Sequence, residues 1–314
     1  MRVYFHPDVS LHAGSPDGVE CAARLWTFER LIRERALSVT VPEPVGRAVL
    51  ARVHDPAYIH VVYSGEATID EETVLGPGSI AAIEAAAGCA WALGAHLAGA
   101  DARGMAVLRP PGHHAGRGFG GGYCVVNNGM VAAQALFDAG VPDIAIVDLD
   151  AHFPNGTADF ASVDPRVFLL TLQQSRLFPR EGSTGEEPLP GVVSVPLDPG
   201  AGDADLLAVT TALFVPMLRA RRPACVLVSL GVDAHEDDVT TDLRYSTAGY
   251  AAACAAIDAV ARELGARVGY VLEGGYDPAS VGAVIRAIVD GVAGEIHGTP
   301  LPSTLARLAR YGST

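Results

Sequence analysis

A run typical of a buried strand ends in side chains that could bind a metal. The apolar, β-rich residues Ile144–Val147 are followed at once by Asp148, Asp150 and His152. Side chains two residues apart on an extended segment point to the same side, so Asp150 and His152 can act as an oxygen and nitrogen ligand pair. Such a pair suits zinc or ferrous iron. The pattern predicts a metal site that still needs a third ligand.

A second apolar run offers a candidate for that third ligand. Cys225–Leu230 has the composition of a buried strand and leads into Asp233 and His235. Asp233 would complete a three-ligand site with one open position, as in catalytic zinc centres. His235 is spaced like a further ligand, but we expect it to be a structural loop residue.

Charge and composition narrow the classes of function. The 314 residues include 36 acidic and 22 basic side chains, for a net charge of −14, and 49% of the residues are hydrophobic. The excess of negative charge argues against binding of nucleic acid and favours a neutral or cationic small substrate. A chain of this length and apolar content can bury one large core, so we expect a single domain over residues 1–314.

The cysteines and the N-terminus predict a cytoplasmic protein. The five cysteines are an odd number without a C-x-x-C pair, and Cys225 and Cys254 lie in apolar segments, where a free thiol packs as a small hydrophobe. The chain runs from Phe5 straight into His6 and Pro7 without an apolar signal region. Every apolar stretch that approaches membrane-spanning length contains His, Pro or charge. We therefore expect a reducing compartment and no membrane contact.

Short β-rich runs alternate with Ala- and Leu-rich stretches of helical length along the chain. The expected strands are Val3–Phe5, Ala106–Leu108, Ile144–Asp148, Val167–Leu172, Val192–Val195, Cys225–Leu230 and Val268–Leu272. The expected helices are Cys21–Arg35, Ser79–Ala100, Asn128–Ala139, Asp203–Arg221, Ser246–Leu264 and Pro278–Ala293. Such alternation predicts an α/β fold with a mostly parallel central sheet flanked by helices.

Chemically competent residues gather where the expected strands end. Four strand ends carry them: Arg109–His114, Asp148–His152, Gly231–Asp233 and Glu273–Tyr276. In a parallel sheet the ligand crevice lies at the carboxyl ends of the strands. The Gly- and Pro-rich segments 110–122 and 178–202 are expected to form long loops over this face. We therefore expect one site at this edge of the sheet.

Several motifs, in order along most of the chain, resemble the histone deacetylase superfamily, which has the arginase–deacetylase fold. The motifs are Arg109-Pro-Pro-Gly-His113-His114, Gly121-Gly122-Tyr123-Cys124-Val-Val-Asn127-Asn128, Asp148-Leu-Asp150-Ala-His152, Asn155-Gly156-Thr157, Ser229-Leu-Gly-Val-Asp233 and Leu272-Glu-Gly-Gly-Tyr276. A series of this kind is far more specific than one short pattern. The resemblance implies a metal held by Asp150, His152 and Asp233, with an open position for water and the substrate carbonyl.

The resemblance also implies a mechanism of amide hydrolysis. A metal lowers the pKa of bound water from about 16 to about 7 in favourable cases and polarises the carbonyl. His114 matches the general base that later protonates the leaving amine, and His113 matches the histidine beside the water. Asp148 and Asn155 match the groups that orient His113 and His114, and an asparagine leaves His114 less basic than an aspartate would. Tyr276 matches the donor that stabilises the tetrahedral oxyanion, a role worth about 3 kcal/mol.

Further positions match a substrate tunnel and a second ion site. Gly122, Tyr123 and Phe178 match the tunnel wall, whose two aromatic rings suit a methylene chain. Thr240 lies where relatives place a residue that gates substrate choice; a carboxylate there would favour polyamines, and threonine does not. The matches to an internal monovalent-cation site, for potassium, are Asp148, Asp150, the His152 backbone, Thr171 and Leu172.

Two departures from the family pattern bear on these expectations. Most relatives have His-His-Gly after the first aspartate ligand, whereas this chain has His152-Phe153-Pro154. Proline fixes the backbone there and removes an N–H donor. The metal ligand is retained, so we expect altered tuning and not a loss of activity. The Asp-Pro pair that usually follows the third ligand is Asp238-Val239 here.

The N-terminal region points to one branch of the superfamily. His6–His12, followed by Val19–Arg24, resembles acetylpolyamine amidohydrolases more than eukaryotic histone deacetylases. The segment 63–73 is too short for the insertion that builds the dimer and narrows the tunnel in those amidohydrolases. Within it, Asp70, Glu71 or Glu72 could reach a substrate amine, although an exposed acidic turn is the simpler interpretation.

We therefore predict a zinc-dependent amidohydrolase, with ferrous iron as the alternative metal, that acts on a small acylated amine such as a polyamine; a homo-oligomer is left open. Deacetylation of acetyl-lysine in proteins is the second hypothesis. A non-catalytic metal-binding regulator is a third, and Tyr276 argues against it because a binding protein has no use for an oxyanion donor. An arginase-type ureohydrolase needs a two-metal ligand set with additional carboxylates and histidines, which the sequence lacks.

Overall fold

The computed structural model of the chain describes residues 1–34, 36–65, 67–99, 103–185, 188–292 and 296–311. These residues form seven strands: β1 (Arg2–Tyr4), β2 (Arg103–Ala106), β3 (Ile144–Asp148), β4 (Val167–Gln174), β5 (Val192–Leu197), β6 (Cys225–Leu230) and β7 (Arg267–Leu272). They make one sheet in the order β1-β2-β7-β6-β3-β4-β5, and every pairing is parallel. The α/β fold class with a central sheet is therefore confirmed, and the sheet is wholly parallel within the described residues.

Helices connect and cover the strands. The α-helices are α1 (Trp26–Arg33), α2 (Arg47–Leu50), α3 (Pro56–Val62), α4 (Ser79–Leu97), α5 (Asn128–Asp138), α6 (Asn155–Ala161), α7 (Asp203–Val209), α8 (Val215–Arg221), α9 (Thr247–Leu264), α10 (Pro278–Asp290) and α11 (Pro302–Tyr311). Local chemistry sets several boundaries. The Ser246 hydroxyl accepts a hydrogen bond from Gly249 N at the start of α9, and Gly265 ends that helix in the left-handed conformation.

The centre of the sheet brings the predicted site together. Every residue of β3 and β6 is buried, and Ile144 pairs with Cys225 so that the two strands end side by side. Strand β7 lies next to β6, with Leu230 opposite Leu272. Because all three strands are parallel, the residues that follow Asp148, Leu230 and Leu272 emerge at the same edge.

The expected strand over Ala106–Leu108 and the expected helix over Cys21–Arg35 differ in their bounds from the observed elements. The strand expected at Ala106–Leu108 lies at Arg103–Ala106, where Gly104 pairs with Gly269 and Met105 pairs with Tyr270. Pairing on both sides places this segment in the sheet despite its weak intrinsic β preference. The helix expected at Cys21–Arg35 begins as a 3-10 turn over Ala22–Leu25 and continues as α1.

The helix expected at Asp203–Arg221 contains a local irregularity. Thr210–Phe214 forms a π-helical turn between α7 and α8. Pro216 follows this turn, and proline has no N–H to donate to the preceding turn of an α-helix, so a change in the hydrogen-bonding pattern before it has a physical cause. The sequence interpretation also missed the helices α2, α3, α6 and α11. The expected helix ends at Arg35, Ala100 and Ala293 lie outside the described residues.

One helix, α4, is long and apolar enough to cross a membrane by length and composition alone. Sixty-one per cent of its most apolar 18-residue window is buried inside the molecule. Gly94 of α4 lies so close to the Ala132 carbonyl of α5 that a Cβ on it would overlap that oxygen. These contacts are those of a core helix packed between other elements.

Candidate active site

The three predicted metal ligands converge at the carboxyl edge of the sheet. One ligand atom from each of Asp150, His152 and Asp233 lies within 4.8 Å of the others. His152 Nδ1 is 3.0 Å from Asp150 Oδ1 and 2.8 Å from Asp233 Oδ2. Both carboxylates are fully buried. The segments after β3 and β6 thus place a nitrogen and two oxygens around one point.

The donor set and its electrostatics fit a divalent cation. Burial raises the pKa of Asp233, and the neighbouring Asp150 raises it further, to about 7. Burial lowers the pKa of His152, but Asp233 and Asp150 outweigh this effect and raise it to about 10. The His152 imidazolium therefore forms ion pairs with the two buried carboxylates, Asp150 and Asp233. A zinc or ferrous ion bound by the same atoms would supply that charge directly.

The backbone around the ligands holds them in place. Ala151 N donates to Asp233 Oδ1 at 2.9 Å, and Gly274 N donates to Asp150 Oδ2 at 2.9 Å. A Cβ on Gly274 would lie 2.5 Å from Asp233 Oδ2 and 2.6 Å from Asp150 Oδ2. Only glycine permits this approach of the β7 end to the two carboxylates.

Two adjacent histidines lie beside the ligand cluster. The ring centroids of His113 and His114 are 4.1 Å apart, and both side chains are buried. His113 Nδ1 lies 3.3 Å from Asp148 Oδ2, and His114 Nδ1 lies 2.7 Å from Asn155 Oδ1. Each histidine thus contacts the residue that the family resemblance gives as its partner.

The two imidazoles differ in their affinity for a proton. Burial lowers the pKa of His113, but the carboxylates of Asp150 and Asp148 outweigh burial and raise it to about 10. Burial lowers the pKa of His114 well below its ordinary value, and the nearby His113 and His152 lower it further. His114 is therefore neutral at pH 7, which is the state in which an imidazole can accept a proton.

Tyr276 approaches the same space from the end of β7. Its ring lies edge-on to Tyr123, with centroids 5.6 Å apart, and the Arg24 guanidinium lies 4.8 Å from its centroid. Its backbone N–H donates to Asp238 Oδ2 at 2.6 Å. Asp238 Oδ1 accepts from the Thr240 hydroxyl at 2.6 Å. One carboxylate therefore binds both the Tyr276 backbone and the hydroxyl of Thr240, the residue predicted to gate substrate choice.

A cavity of about 280 Å³ opens onto these groups. Its lining includes His113, His114, His152 and Tyr276, the predicted wall residues Gly122, Tyr123 and Phe178, and Thr240, Val19, Asp17 and Glu72. Asp17 and Glu72 are exposed to solvent and so mark the mouth of the cavity. Phe178 lies edge-on to His114, with centroids 5.0 Å apart. Gly122 has a φ of +52°, and a Cβ on it would lie 2.6 Å from the Phe178 ring and 2.8 Å from the His114 ring. A side chain at Gly122 would obstruct the passage.

Three residues predicted to bind a monovalent cation, Asp148, Thr171 and Leu172, lie on the adjacent strands β3 and β4. Asp148 at the end of β3 is in register with Thr171 of β4, and Leu172 is the next residue. Asp148, Thr171 and Leu172 are fully buried. Asp148 Oδ1 accepts from Asp150 N at 3.0 Å, which links this region to the metal ligands.

Other predicted residues have structural partners. His235 Nε2 lies 3.1 Å from the Thr247 hydroxyl, and its Nδ1 accepts from Asp237 N. Pro154 precedes α6 with a φ of −79°, which suits proline, and α6 begins with Asn155. Asp70 accepts from Gly122 N at 2.8 Å and so supports the cavity wall.

Sequence reasoning missed three residues at this site. Asp17 lies at the cavity mouth, and its carboxylate accepts a hydrogen bond from the Tyr123 hydroxyl. Arg24 donates to the backbone carbonyls of Glu273 and Gly275. Glu273 is fully buried and accepts hydrogen bonds from the backbone N–H groups of Gly112 and His113 in residues 112–114, the His113 loop. Glu273, the first residue after an expected strand, and Arg24, in the segment Val19–Arg24, lay within patterns of the sequence that gave them no role, and Asp17 lay in none.

Comparison with known proteins gives consistent matches. Residues 18–292 match the histone deacetylase domain. A probable deacetylase of Archaeoglobus fulgidus is 31% identical over 290 residues, covering 87% of this chain and 80% of that protein. Acetylpolyamine amidohydrolase 1 of Pseudomonas aeruginosa is 28% identical over 356 residues, covering 94% and 99% of the two chains. The crystal structure of an acetylpolyamine aminohydrolase from Burkholderia pseudomallei is similar, with a TM-score of 0.82 and 26% identity over 93% of this chain and 98% of that one.

The matched range contains every predicted ligand and both histidines of the site. Deacetylase or amidohydrolase activity is the activity of the matched family, whose members are generally zinc-dependent. The arrangement of the fold, the ligand cluster and the cavity agrees with that assignment. The chain belongs to the histone deacetylase family.

Proposed function

We propose that this protein hydrolyses the N-acetyl or other small N-acyl amide of a small acylated amine, releasing a free amine and a carboxylate. The observation that carries the proposal is the convergence of three kinds of group on one cavity: the ligand set that includes His152, the pair His113 and His114, and Tyr276. Amide hydrolysis needs an activated water, a proton carrier and an oxyanion donor. The cavity offers a residue for each task.

Asp150, His152 and Asp233 would hold the metal, for which we propose zinc with ferrous iron as the alternative. When bound there, the metal supplies a nucleophile from water near neutral pH and polarises the amide carbonyl. The buried carboxylates and the backbone N–H donors of Ala151 and Gly274 keep the ligands in position for that role.

His114 accepts the proton released as water attacks the carbonyl and then donates it to the departing amine. Its low pKa keeps the ring neutral before the reaction, and the hydrogen bond to Asn155 fixes the ring orientation. His113, charged through Asp148 and Asp150, stabilises negative charge that develops beside it. Tyr276 lines the cavity, and its hydroxyl donates to the oxyanion.

The cavity mouth supports a cationic substrate. Asp17 and Glu72 both line it, so two carboxylates flank the entrance. Burial opposes ionisation of Asp17, but hydrogen bonds from Ser15, Val19 and Tyr123 outweigh it and lower its pKa. An ammonium group at the far end of an acylated diamine would meet this negative charge while the amide lies below. We therefore propose a monoacylated diamine or polyamine as the preferred substrate class.

Three further expectations stay proposals. A potassium ion bound near Asp148, Thr171 and Leu172 would neutralise carboxylate charge beneath the catalytic cluster. A cytoplasmic location is supported by the five free cysteines, four of which are buried. A homo-oligomer stays open, as it was in the sequence.

The test compares two substrates with the same acyl group and the same four-carbon chain, only one of which carries a distal ammonium group. We expect N-acetylputrescine to give a higher kcat/KM than N-butylacetamide, which has the same acyl group and chain length without the ammonium. Exposed ion pairs contribute about 0.2–1 kcal/mol, so each mouth carboxylate should contribute up to about fivefold. Glu72→Gln should reduce the ratio, and added salt should reduce it too.

Glu71→Gln is the matched control, because Glu71 is also exposed but does not line the cavity. It should leave the ratio unchanged. An equal kcat/KM for both substrates would contradict the cationic preference while leaving the hydrolase intact. A preference for acetyl-lysine peptides would favour the protein deacetylase, and no metal-dependent turnover of any acyl amine would refute the proposed activity.

A further inference from the structure

We propose that the Glu273 carboxylate positions the catalytic histidine pair, because it holds the backbone of the His113 loop at a fixed position relative to the metal ligands. This inference rests on the proposed hydrolase function. It gives a role to a residue that belongs neither to the ligand set nor to the proton carriers.

The geometry ties the end of β7 to the loop before His113. Glu273 Oε2 accepts from Gly112 N at 2.6 Å and from His113 N at 3.0 Å. The Glu273 side chain has no exposed surface. Its own backbone is fixed too, because its N–H donates to Leu230 O at 2.9 Å and its carbonyl accepts from Arg24. The carboxylate is therefore anchored to the sheet and not to a mobile loop.

The His113 loop is held on its other sides as well. Thr157 N donates to His113 O at 3.0 Å, so the carbonyl is tied to α6. A Cβ on Gly112 would lie 2.5 Å from Asn128 N and 2.6 Å from Val126 O, so the loop packs tightly there. Glu273 fixes the N–H groups that these contacts do not reach.

Burial of the Glu273 carboxylate costs free energy, although it hydrogen-bonds two N–H groups. Glu273 Oε1 is buried and has no hydrogen-bond partner among the described residues. Burial, with a contribution from Asp148, raises the pKa of the Glu273 carboxyl to about 7. A carboxylate nevertheless gives shorter and stronger hydrogen bonds to successive amides than a neutral acceptor. Such costs are typical of groups kept for function.

A small displacement of His113 would disrupt its contacts with two carboxylates. Its Nδ1 is 3.3 Å from Asp148 Oδ2 and its Nε2 is 3.7 Å from Asp150 Oδ1. His114 follows directly and bonds Asn155. A displacement of about 1 Å at reacting groups can reduce turnover about 100-fold. Loss of the Glu273 clamp should therefore lower kcat more than it changes substrate binding.

The experiment uses the zinc-loaded full chain and three variants. Glu273→Ala removes both hydrogen bonds, and Glu273→Gln keeps an acceptor oxygen without the charge. Asp205→Ala is the matched control: Asp205 is also buried and accepts from Gly202 N at 3.0 Å and Leu301 N at 2.7 Å, but it lies outside the cavity lining. The readouts are kcat and KM for the best acyl amine, bound zinc, Tm, and hydrogen–deuterium exchange of a peptide containing residues 112–114.

We expect Glu273→Ala to reduce kcat by about 10- to 100-fold with KM within about twofold, and to accelerate exchange of the 112–114 amides. Glu273→Gln should show the same two changes at smaller size, and it provides the test if the alanine variant does not fold. Asp205→Ala should lower Tm without either change.

Unaltered exchange at 112–114 in a folded Glu273 variant overturns the inference, whatever the activity. An equal loss of kcat in Asp205→Ala also overturns it, because the effect would then be one of general stability. Absence of turnover in the unmodified protein refutes the proposed function instead, and the exchange comparison still decides whether Glu273 holds the loop.

Discussion

Replacing Asn155 by aspartate tests the assignment of His114 as the proton acceptor. Asn155 Oδ1 lies 2.7 Å from His114 Nδ1. The substitution keeps the size and the hydrogen-bond geometry while placing a full negative charge next to the imidazole. It should therefore change the basicity of His114 with little effect on the fold.

The direction and size of the change follow from the contact. In the native protein, burial together with His113 and His152 lowers the pKa of His114 well below its ordinary value, so the ring is neutral at pH 7. A carboxylate partner favours the imidazolium and raises that pKa, by about 1–3 units at such distances. Residue 155 is partly exposed, and screening by water favours the lower part of that range, about 1–2 units.

The assay is the pH dependence of kcat/KM for Asn155→Asp and the native protein. A base works only when unprotonated, so activity falls below its pKa, and raising that pKa moves the acidic limb upward by about 1–2 pH units. Gln134→Glu, on the outer part of α5, adds the same charge away from the cavity and should leave the limb in place. An unmoved limb in Asn155→Asp, with the fold intact by Tm, would refute His114 as the base.

Two further predictions concern the oxyanion donor and the metal. Tyr276→Phe should lower kcat about 100- to 1,000-fold while Tm and zinc content stay unchanged. The control Tyr63→Phe removes a hydroxyl that bonds the distant Glu84, and it should keep full activity. Equal turnover in both variants would contradict the role of Tyr276 as oxyanion donor. Removal of the metal by a chelator should lower Tm by about 5 °C or more relative to protein with zinc at 100 times its dissociation constant, because Asp150 and Asp233 lose the cation that offsets their repulsion. Differential scanning fluorimetry measures this change in Tm. A Tm that does not depend on zinc would argue against the metal site.

The sequence predicted most reliably those features that depend on short, strongly patterned segments. Strands β3 and β6 have the expected bounds, because each begins with four consecutive apolar residues, Ile144–Val147 and Cys225–Val228, all of them buried. The parallel sheet then explains why Asp150, His152 and Asp233 meet although 83 positions separate the first from the last. Their meeting needed no information beyond the strand ends.

What escaped prediction depends on contacts between segments far apart in the chain. Glu273 bonds Gly112 across 161 positions, and Tyr123 bonds Asp17 across 106. An acidic residue of the loop around Asp17 carries no local pattern that distinguishes a cavity mouth from an exposed turn. The start of β2 was missed for the same reason, because its neighbours and not its own residues place it in the sheet.

The site gathers more buried negative charge than a fold would keep for stability alone. The carboxylates of Asp148, Asp150, Asp233 and Glu273 are all fully buried, and each such group costs free energy unless it is paired or hydrogen-bonded. Backbone N–H groups at the ends of the strands offset part of that cost, as Gly274 does for Asp150. The remainder is offset by positive charge, on the imidazoles or on a bound cation. Because the same carboxylates attract both, binding of the metal and protonation of His113 and His152 depend on each other. At lower pH the imidazole of His152 retains its proton and cannot bind the metal, so metal affinity should fall.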